Sequence, residues 1–430
     1  MRQYRIRGKT RLAGELCVDG AKNAVLPILA ASCLDESETV IHNCPRIQDT
    51  LVSVEILEKL GCRAEFIENT LTVRSFGDLL HVIPDECVTQ MRSSILFMGA
   101  LLARQGHVTL APPGGCNLGE RAINLHISGL EAMGAQIYQD KTNKKLVCET
   151  AGLYGARIPL KFASVGATEN LMIAAKKAVG ETVIENAARE PEVVDLADFL
   201  NKLGADVKGA GSSTIVINGV KKLRSHASHE IIPDRIVAGT YLIAAAITAG
   251  EITLTNVRPA DMTPFTTVLE GMGCRVLSTE STISLVAPDR LRSVSRLKTD
   301  VHPHFPTDMQ AQFVAALSIA AGRSIVTETI FDKRFSHANE LKKMGADIHT
   351  SADNRIFTVN GVSQLHGATV TAHDLRCGAA LVLAALAAEG ETVVQNAQYV
   401  ERGYANIEKD LAAIGADISL EVPETVGKVA

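Results

Sequence analysis

The stretch LEKLGC, Leu57–Cys62, recurs along the whole chain and decides how the chain is organised. The pattern Leu-x-x-(Leu/Met/Ile)-Gly-(Ala/Cys) occurs six times, with its glycine at Gly61, Gly134, Gly204, Gly273, Gly345 and Gly415. Successive glycines are 73, 70, 69, 72 and 70 residues apart. Glycine is the usual residue just past the end of a helix, because it adopts positive φ at little cost. The sequence therefore predicts six repeats, each with a helix that ends at this glycine.

Each repeat shows the same order of segments. An Ala-rich apolar segment predicts a first helix, a β-branched segment predicts a strand, and the helix that ends at the glycine follows. Further strands come next, as in STIVING from Ser213 and RIFTVNG from Arg355, where apolar and polar residues alternate. Helices and strands that alternate in this way favour an α/β fold. The repeat is longer than that of most solenoids, which favours compact groups, but its period alone does not fix the grouping.

Length and composition limit the classes of protein to consider. A chain of 430 residues predicts more than one domain, and a formal charge of -5 with a pI near 6.2 argues against a nucleic-acid-binding protein. The longest apolar runs, from Leu242 and from Ala380, are about half the ~18 residues that a membrane span needs, and no signal peptide is predicted. Nine cysteines without CxxC or zinc-type spacing indicate reduced thiols in a cytoplasmic protein. We expect no metal, no cofactor, and no membrane partner.

Polar and charged residues stand at the start of every Ala-rich helix. A serine or an aspartate there can cap the helix, but an arginine or lysine opposes the helix dipole unless an anion lies between. This pattern predicts a site for a polyanionic small molecule, although neither a Walker sequence nor GxGxxG is present. The residues concerned are Lys22, Asn23, Arg92, Ser164, Val165, Gly166, Asp234, Arg235, Asp308, Asp374 and Arg376.

Three of the charged candidates have plain structural alternatives. Lys22 lies two residues after a glycine, and its local sequence favours a solvated turn lysine over an anion ligand. Asp308 precedes an apolar helix, where it could be an N-cap, or it could act as a general base on a hydroxyl group. Arg402, between a strand and the last helix, could form a surface ion pair.

The segment APPGGCNLGERAINLH, Ala111–His126, differs from the regular repeats. Its prolines and glycines predict a loop. Cys116 lies in this loop five residues before Arg121, and a nearby cation favours the reactive thiolate. The local sequence does not decide between a reactive thiol and a small apolar residue in a turn.

Eight motifs carry a family resemblance: DGAKNA, PGGCNLGER, SVGATEN, ENAAREPE, IPDRI, FPTDMQAQF, DLR and ERGY. They occur in order over essentially the whole chain, which resembles the enolpyruvyl transferases and specifically the branch that acts on UDP-N-acetylglucosamine. The resemblance implies a two-domain, inside-out α/β barrel built from six βαβαββ-like repeats, three in each domain. Residues 1–21 and 234–430 would form one domain and residues 22–233 the other. The active site would lie in the cleft between them, with the Cys116 loop as a lid.

The reaction implied by the resemblance moves the enolpyruvyl group of phosphoenolpyruvate to the 3′-hydroxyl of UDP-N-acetylglucosamine with release of phosphate. It is the first committed step of bacterial peptidoglycan synthesis and the target of fosfomycin. Lys22, Arg121 and Arg402 would hold phosphoenolpyruvate. Asp308 would take the hydroxyl proton, and Cys116 would be the acid. The residues implied for substrate binding also include Asn23, Arg92, Arg121, Ala122, Ile123, Asn124, Leu125, Ser164, Val165, Gly166, Asp308, Ile330, Asp374 and Arg376.

Two departures and two alternatives accompany the resemblance. Ala122 and Asn124 stand where proline and aspartate are usual in the family, which bears on uracil recognition. Nearby arginines favour the Cys116 thiolate, whereas an acid must be protonated. A 5-enolpyruvylshikimate-3-phosphate synthase is disfavoured by KN in DGAKNA, where that enzyme has KS. A non-catalytic UDP-sugar-binding paralogue is disfavoured because the candidate catalytic residues Cys116, Asp308, Lys22 and Arg402 are all present.

Overall fold

The computed structural model describes residues 2–112, 123–220, 224–353 and 355–422. Short 3-10 helices cover Arg92–Ile95, Thr307–Met309 and Ala397–Arg402. The α-helices of the described ranges are α1 (Lys22–Ala31), α2 (Gln48–Leu60), α3 (Asp85–Gln90), α4 (Leu96–Gln105), α5 (Asn124–Ala132), α6 (Val165–Ala175), α7 (Pro191–Lys202), α8 (Arg235–Ile247), α9 (Pro259–Gly271), α10 (Gln310–Leu317), α11 (Ser336–Lys343), α12 (Leu375–Ala387) and α13 (Ile407–Ala413).

The strands of the described ranges are β1 (Gln3–Arg7), β2 (Ala13–Cys17), β3 (Ser37–His42), β4 (Arg63–Ile67), β5 (Thr70–Ser75), β6 (His107–Leu110), β7 (Gln136–Gln139), β8 (Leu146–Glu149), β9 (Arg157–Pro159), β10 (Glu181–Glu185), β11 (Asp206–Lys208), β12 (Thr214–Asn218), β13 (His226–Glu230), β14 (Glu251–Thr255), β15 (Arg275–Ser278), β16 (Thr282–Val286), β17 (Arg296–Lys298), β18 (Arg323–Thr327), β19 (Asp347–Thr350), β20 (Ile356–Asn360), β21 (Thr369–Thr371), β22 (Glu391–Gln395) and β23 (Asp417–Glu421).

The chain forms two compact units, each with its own core. The described part of the first unit comprises residues 2–18, 234–353 and 355–422, and that of the second comprises residues 19–112, 123–220 and 224–233. The strands of the first unit form three sheets, in the orders β21-β22-β1-β23, β15-β16-β14-β2 and β17-β18-β20-β19. The sheets of the second unit are β11-β12-β10-β9, β13-β3-β5-β4 and β6-β8-β7. The mixed α/β class expected from the sequence is confirmed.

The helices that end at the repeat glycine are present in all six repeats. Their glycines have φ between +90° and +112°, the left-handed conformation that a residue with a Cβ atom resists. The Ala-rich segments form α1, α4, α6, α8, α10 and α12, whose side chains are mostly buried, and in α12 every residue is buried. Close packing between these helices explains why small residues are needed there: α4 packs on α6, and α10 packs on α12.

One asparagine joins two strands in four of the repeats. It follows the strand after the Ala-rich helix and adopts positive φ of 51° to 60°. Its side-chain amide donates to the carbonyl oxygen of the residue just past the neighbouring parallel strand, at 2.6 to 3.2 Å. The pairs are Asn43 with Ile231, Asn186 with Leu160, Asn256 with Val18 and Asn396 with Ala372. This asparagine therefore fixes the edge strand of each of these sheets.

No helix within the described ranges combines the length and the apolar character that crossing a membrane requires.

Candidate functional site

Asp308 of the first unit lies between two arginines. It belongs to the 3-10 turn before α10, and no helix start is capped by its side chain. Arg334 Nη1 lies 2.8 Å from Asp308 Oδ1, and Arg376 Nη2 lies 2.8 Å from Asp308 Oδ2. The N-cap interpretation of Asp308 is therefore wrong, because both carboxylate oxygens are held by guanidinium groups.

The environment of Asp308 keeps it ionised. Burial by itself raises its pKa, but the charges and hydrogen bonds of Arg376 and Arg334 outweigh burial and hold the pKa well below its usual range. Both arginine side chains are nearly inaccessible, with 5% and 6% of their surfaces exposed, whereas Asp308 keeps 25% of its side-chain surface. An ionised, fixed and partly exposed carboxylate can accept a hydrogen bond from an incoming hydroxyl group.

Glu328, just after β18, holds the turn that carries Asp308. Its Oε2 accepts from Thr307 Oγ1 at 2.9 Å, and Thr307 Oγ1 in turn accepts from Arg334 Nη1 at 2.8 Å. Its Oε1 accepts from Thr299 Oγ1 at 3.0 Å and from the backbone N–H groups of residues 330 and 331 at 2.8 and 3.1 Å. Glu328 is 1% exposed. A buried carboxylate with this many donors is fully satisfied and rigid.

Asp374 is the N-cap of α12. Its Oδ1 accepts from the backbone N–H groups of Arg376 and Cys377 at 2.9 and 3.0 Å, and Ser336 Oγ donates to its Oδ2 at 3.1 Å. The cap fixes the first turn of α12, from which Arg376 reaches Asp308. Burial lowers the pKa of the neighbouring His337 to about 4, although the negative charge of Asp374 acts to raise it. The His337 ring is therefore neutral near pH 7.

Two further predicted helix starts, those of α6 and α8, also hold capping side chains. Asp234 accepts from the N–H groups of residues 236 and 237 at 2.8 and 3.0 Å, and Ser164 accepts from residue 167 at 3.4 Å. Helix starts of both units thus carry the caps that their sequence predicts. Arg235 is buried, with 9% of its surface exposed.

In the second unit, Lys22 forms a buried ion pair. It is the first residue of α1, and its Nζ lies 2.9 Å from Asp49 Oδ2 in the first turn of α2. The two side chains are 12% and 4% exposed. The solvated-turn interpretation of Lys22, which the local sequence favoured, is therefore wrong. Asp49 fixes the position of a cation at the start of α1.

Arg92 lies near a neutral histidine. Gly99 N–H donates to Asn170 Oδ1 at 2.9 Å, which orients the Asn170 amide so that its Nδ2 donates to His126 Nδ1 at 3.0 Å. The neutral His126 ring then carries its proton on Nε2. Burial and the charge of Arg92 lower the pKa of His126 to about 4, while burial lowers that of Arg92 itself. Arg92 and His126 thus bring together two kinds of hydrogen-bond donor, a guanidinium group and an imidazole Nε2–H.

The remaining predicted residues fall into three groups. Asn23, Asn124, Leu125, Val165 and Gly166 lie in the first turns of α1, α5 and α6, and Ile123 directly precedes α5. Ile330 follows β18 and is 37% exposed, and Arg402 ends the third 3-10 helix. Cys116, Arg121 and Ala122 lie outside the described residues.

Sequence reasoning missed three partners of the predicted site residues: Asp49, Glu328 and Arg334. The predicted residues stand at the starts of the Ala-rich helices, whereas Asp49 lies in the first turn of α2 and Arg334 precedes α11, both of them second helices of a repeat. Charged residues at the starts of the second helices are the signal that would have indicated both. For Glu328, the available signal was a carboxylate in SIVTET at the place where four of the other repeats carry asparagine.

The chain belongs to the enolpyruvyl transferase family: the family described as EPSP synthase (3-phosphoshikimate 1-carboxyvinyltransferase) matches residues 6–411. Two solved structures share its fold. The enolpyruvyl transferase NikO from Streptomyces tendae has a TM-score of 0.88 and 25% identity, over 98% of this chain and 99% of that one. An EPSP synthase from Acinetobacter baumannii has a TM-score of 0.74 and 19% identity, over 98% and 100% of the two chains.

Curated relatives narrow the class to one branch. UDP-N-acetylglucosamine 1-carboxyvinyltransferase 2 of Caldanaerobacter subterraneus is 47% identical over 97% of this chain and 99% of its own. UDP-N-acetylglucosamine 1-carboxyvinyltransferase 1 of Symbiobacterium thermophilum is 48% identical over 97% and 95%. The enzyme of the same name from Finegoldia magna is 44% identical over 97% and 98%. The chain is accordingly an enzyme, a transferase of this family.

Proposed function

We propose that this chain transfers the enolpyruvyl group of phosphoenolpyruvate to the 3′-hydroxyl of UDP-N-acetylglucosamine and releases phosphate. The full-length similarity to three enzymes of that name, at 44–48% identity, carries this proposal. Its metabolic place is the first committed step of bacterial peptidoglycan synthesis, in the cytoplasm. The ionised Asp308 and the buried cations Lys22 and Arg376 suit a hydroxyl acceptor and anionic substrates.

The proposed roles follow the charge of each group. Lys22, Arg121 and Arg402 offset the charge of phosphoenolpyruvate. The Cys116 thiol gives its proton to the methylene carbon, which leaves a cationic centre at the adjacent carbon that the sugar oxygen attacks. Loss of phosphate and of a proton from the methyl carbon then restores the enol ether. The residues that line the UDP-sugar site are Asn23, Arg92, the run from Arg121 to Leu125, Ser164, Val165, Asp308 and Ile330. Gly166, Asp374 and Arg376 complete the substrate-binding set.

Asp308 is a weak base in this scheme, because two arginines lower its pKa. A weak base suffices if the electrophile is already strong when the hydroxyl group attacks, because the hydroxyl proton becomes more acidic as the new C–O bond forms. We therefore propose that protonation of phosphoenolpyruvate precedes or accompanies transfer of the hydroxyl proton to Asp308. Ionised Asp308 also orients the hydroxyl group toward the reacting carbon.

For the fold, we propose the inside-out α/β barrel with six βαβαββ-like repeats. The three sheets of each unit and the six repeat glycines with positive φ support this arrangement. Residues 1–21 with 234–430 and residues 22–233 would then be the two three-repeat domains.

Phosphate release tests the function directly. The purified chain is incubated with phosphoenolpyruvate and UDP-N-acetylglucosamine together and with each alone, and released phosphate is measured. Release that needs both substrates is expected. Release only with shikimate 3-phosphate as acceptor would support the 5-enolpyruvylshikimate-3-phosphate synthase alternative. UDP-sugar binding without release would support a non-catalytic paralogue.

A further inference from the structure

The fifth repeat departs from the pattern of the asparagine that joins two strands. In four repeats the residue directly after the strand is asparagine with positive φ, bonded to the residue just past the parallel edge strand. In the fifth repeat the same place after β18 holds Glu328. Its partner Thr299 lies just past the parallel edge strand β17, so the strand link is kept, with Thr299 Oγ1 now the donor at 3.0 Å.

The glutamate makes contacts that the asparagines do not. Its longer side chain also reaches Thr307 Oγ1 and the N–H groups of Ile330 and Phe331. Thr307 directly precedes Asp308, and its hydroxyl group accepts from Arg334 Nη1 at 2.8 Å. A strand link needs none of these additional bonds. They connect the strand ends to the turn that carries Asp308.

We propose that Glu328 is a positioning residue for the transfer reaction: through Thr307 it holds Arg334 on Asp308, and through two N–H groups it fixes the segment at Ile330. This proposal rests on the proposed function for its kinetic consequence. Its structural content, that Glu328 and Thr307 hold the Arg334 guanidinium, does not depend on that function.

The orientation of Thr307 shows why the carboxylate is needed. The Thr307 hydroxyl group has one proton and gives it to Glu328 Oε2, which leaves its lone pairs for Arg334. A glutamine at position 328 has only one acceptor oxygen. If that oxygen stays with the donors at Oε1, the amide NH2 faces Thr307 and the hydroxyl proton loses its acceptor. The Arg334 contact then weakens without loss of side-chain volume.

The test compares E328Q and T307V with two matched variants. One keeps the hydrogen bonds from Glu328 through Thr307 to Arg334, and the other keeps only the link between the two strands. T307S keeps the hydroxyl group, and E328N recreates the asparagine of the other repeats. The guanidinium N–H signals of Arg334, in protein labelled with 15N-arginine and assigned by their loss in R334K, report the contact without any need for turnover. Thermal unfolding of each variant shows whether it folds. Product formation gives kcat and KM.

In the wild type we expect the Arg334 guanidinium N–H groups to exchange slowly with solvent, and in E328Q, E328N and T307V we expect this slow exchange to be lost. The same three variants should lower kcat about tenfold or more, a size typical of lost orientation. T307S should retain both. Wild-type exchange in folded E328Q and T307V, or full recovery in E328N, would overturn the proposal and leave Glu328 as a strand link. If wild type forms no product, the proposed function fails, while the exchange comparison still decides the role of Glu328.

Discussion

Arg334 Nη1 lies 2.8 Å from Asp308 Oδ1, and the two residues are 26 positions apart, in the turn before α10 and in the segment before α11. Arg376 holds the other carboxylate oxygen at the same distance. Together the two arginines keep Asp308 ionised against the effect of its burial. The second arginine adds a fixed orientation, because each oxygen has its own donor.

Removal of Arg334 should weaken catalysis most at low pH. In R334M one of the two charges that lower the pKa of Asp308 is gone, so this pKa rises. The ionised form is then lost at a higher pH, and the acid limb of the profile of kcat/KM against pH moves upward. R355M is the matched control, because Arg355 pairs with exposed Asp332 in the same repeat. An acid limb unchanged in R334M would contradict the assigned contact.

Loss of the partner of Lys22 should affect one substrate only. D49N has the same size but removes the charge 2.9 Å from Lys22 Nζ. Without this charge the ammonium group is held less firmly, and we expect the KM for phosphoenolpyruvate to rise about tenfold, or ~1.4 kcal/mol. The KM for UDP-N-acetylglucosamine should change less than about twofold.

D35N is the control for D49N, since Asp35 pairs with Lys177 at 3.7 Å in the same unit. Steady-state kinetics with each substrate varied in turn give both constants. Equal increases in the two KM values for D49N would show that Lys22 is not a specific ligand of phosphoenolpyruvate.

Alkylation should be selective for Cys116. Of the cysteines in the described ranges, Cys17 is exposed and the other seven are buried. Burial raises the pKa of these buried thiols, for example that of Cys44 to about 12 and that of Cys87 to about 11, so they react slowly. We expect fosfomycin to label wild type and C17A but not C116A, by mass spectrometry of the intact chain. C116A should also lose turnover or product release. Label retained in C116A would place the reactive thiol elsewhere.

A buried lysine should limit stability at neutral pH. Lys176 is fully buried, its Nζ has no hydrogen-bond partner within the described structure, and burial lowers its pKa from 10.5 to about 8. Between these values the unfolded chain binds more protons than the folded chain, so wild-type stability rises as the pH increases from about 8 to 10.5. Below pH 8 the cost of the buried charge is constant.

K176M should therefore unfold less readily than wild type at pH 7, by up to about 3 kcal/mol, and should lack the rise above pH 8. Urea unfolding at several pH values between 7 and 10 measures both effects. K177M serves as the control, because Lys177 is partly exposed and pairs with Asp35. The same pH dependence in K176M and wild type would contradict a charged, buried Lys176.

The periodic part of the fold could be predicted from sequence because local physics determines it. The helix-ending glycines, the Ala-rich helices and the β-branched strands each depend on residues close together in the chain. The caps Ser164, Asp234 and Asp374 belong to the same class.

The partners of the site residues could not be predicted in this way. Asp49 reaches Lys22, and Arg334 reaches Asp308, only after the two helices of one repeat have packed together. For Lys22 the local sequence favoured solvent, and the ion pair with Asp49 reversed that interpretation. The role of Glu328 follows from comparing its contacts with those of the four asparagines, and these contacts are known only from the three-dimensional structure. Tertiary contacts of this kind carry little periodic signal.

The most direct measurement of the central claim is mass spectrometry of the product. Phosphoenolpyruvate labelled with 13C in its three carbons is incubated with the chain and UDP-N-acetylglucosamine, and the nucleotide sugar is recovered. The proposed transfer predicts a UDP-sugar heavier by one labelled enolpyruvyl group, with one phosphate released for each molecule formed and no released product from D308N or C116A. If all the UDP-N-acetylglucosamine is recovered unmodified after incubation with folded wild-type protein, that result would contradict the claim.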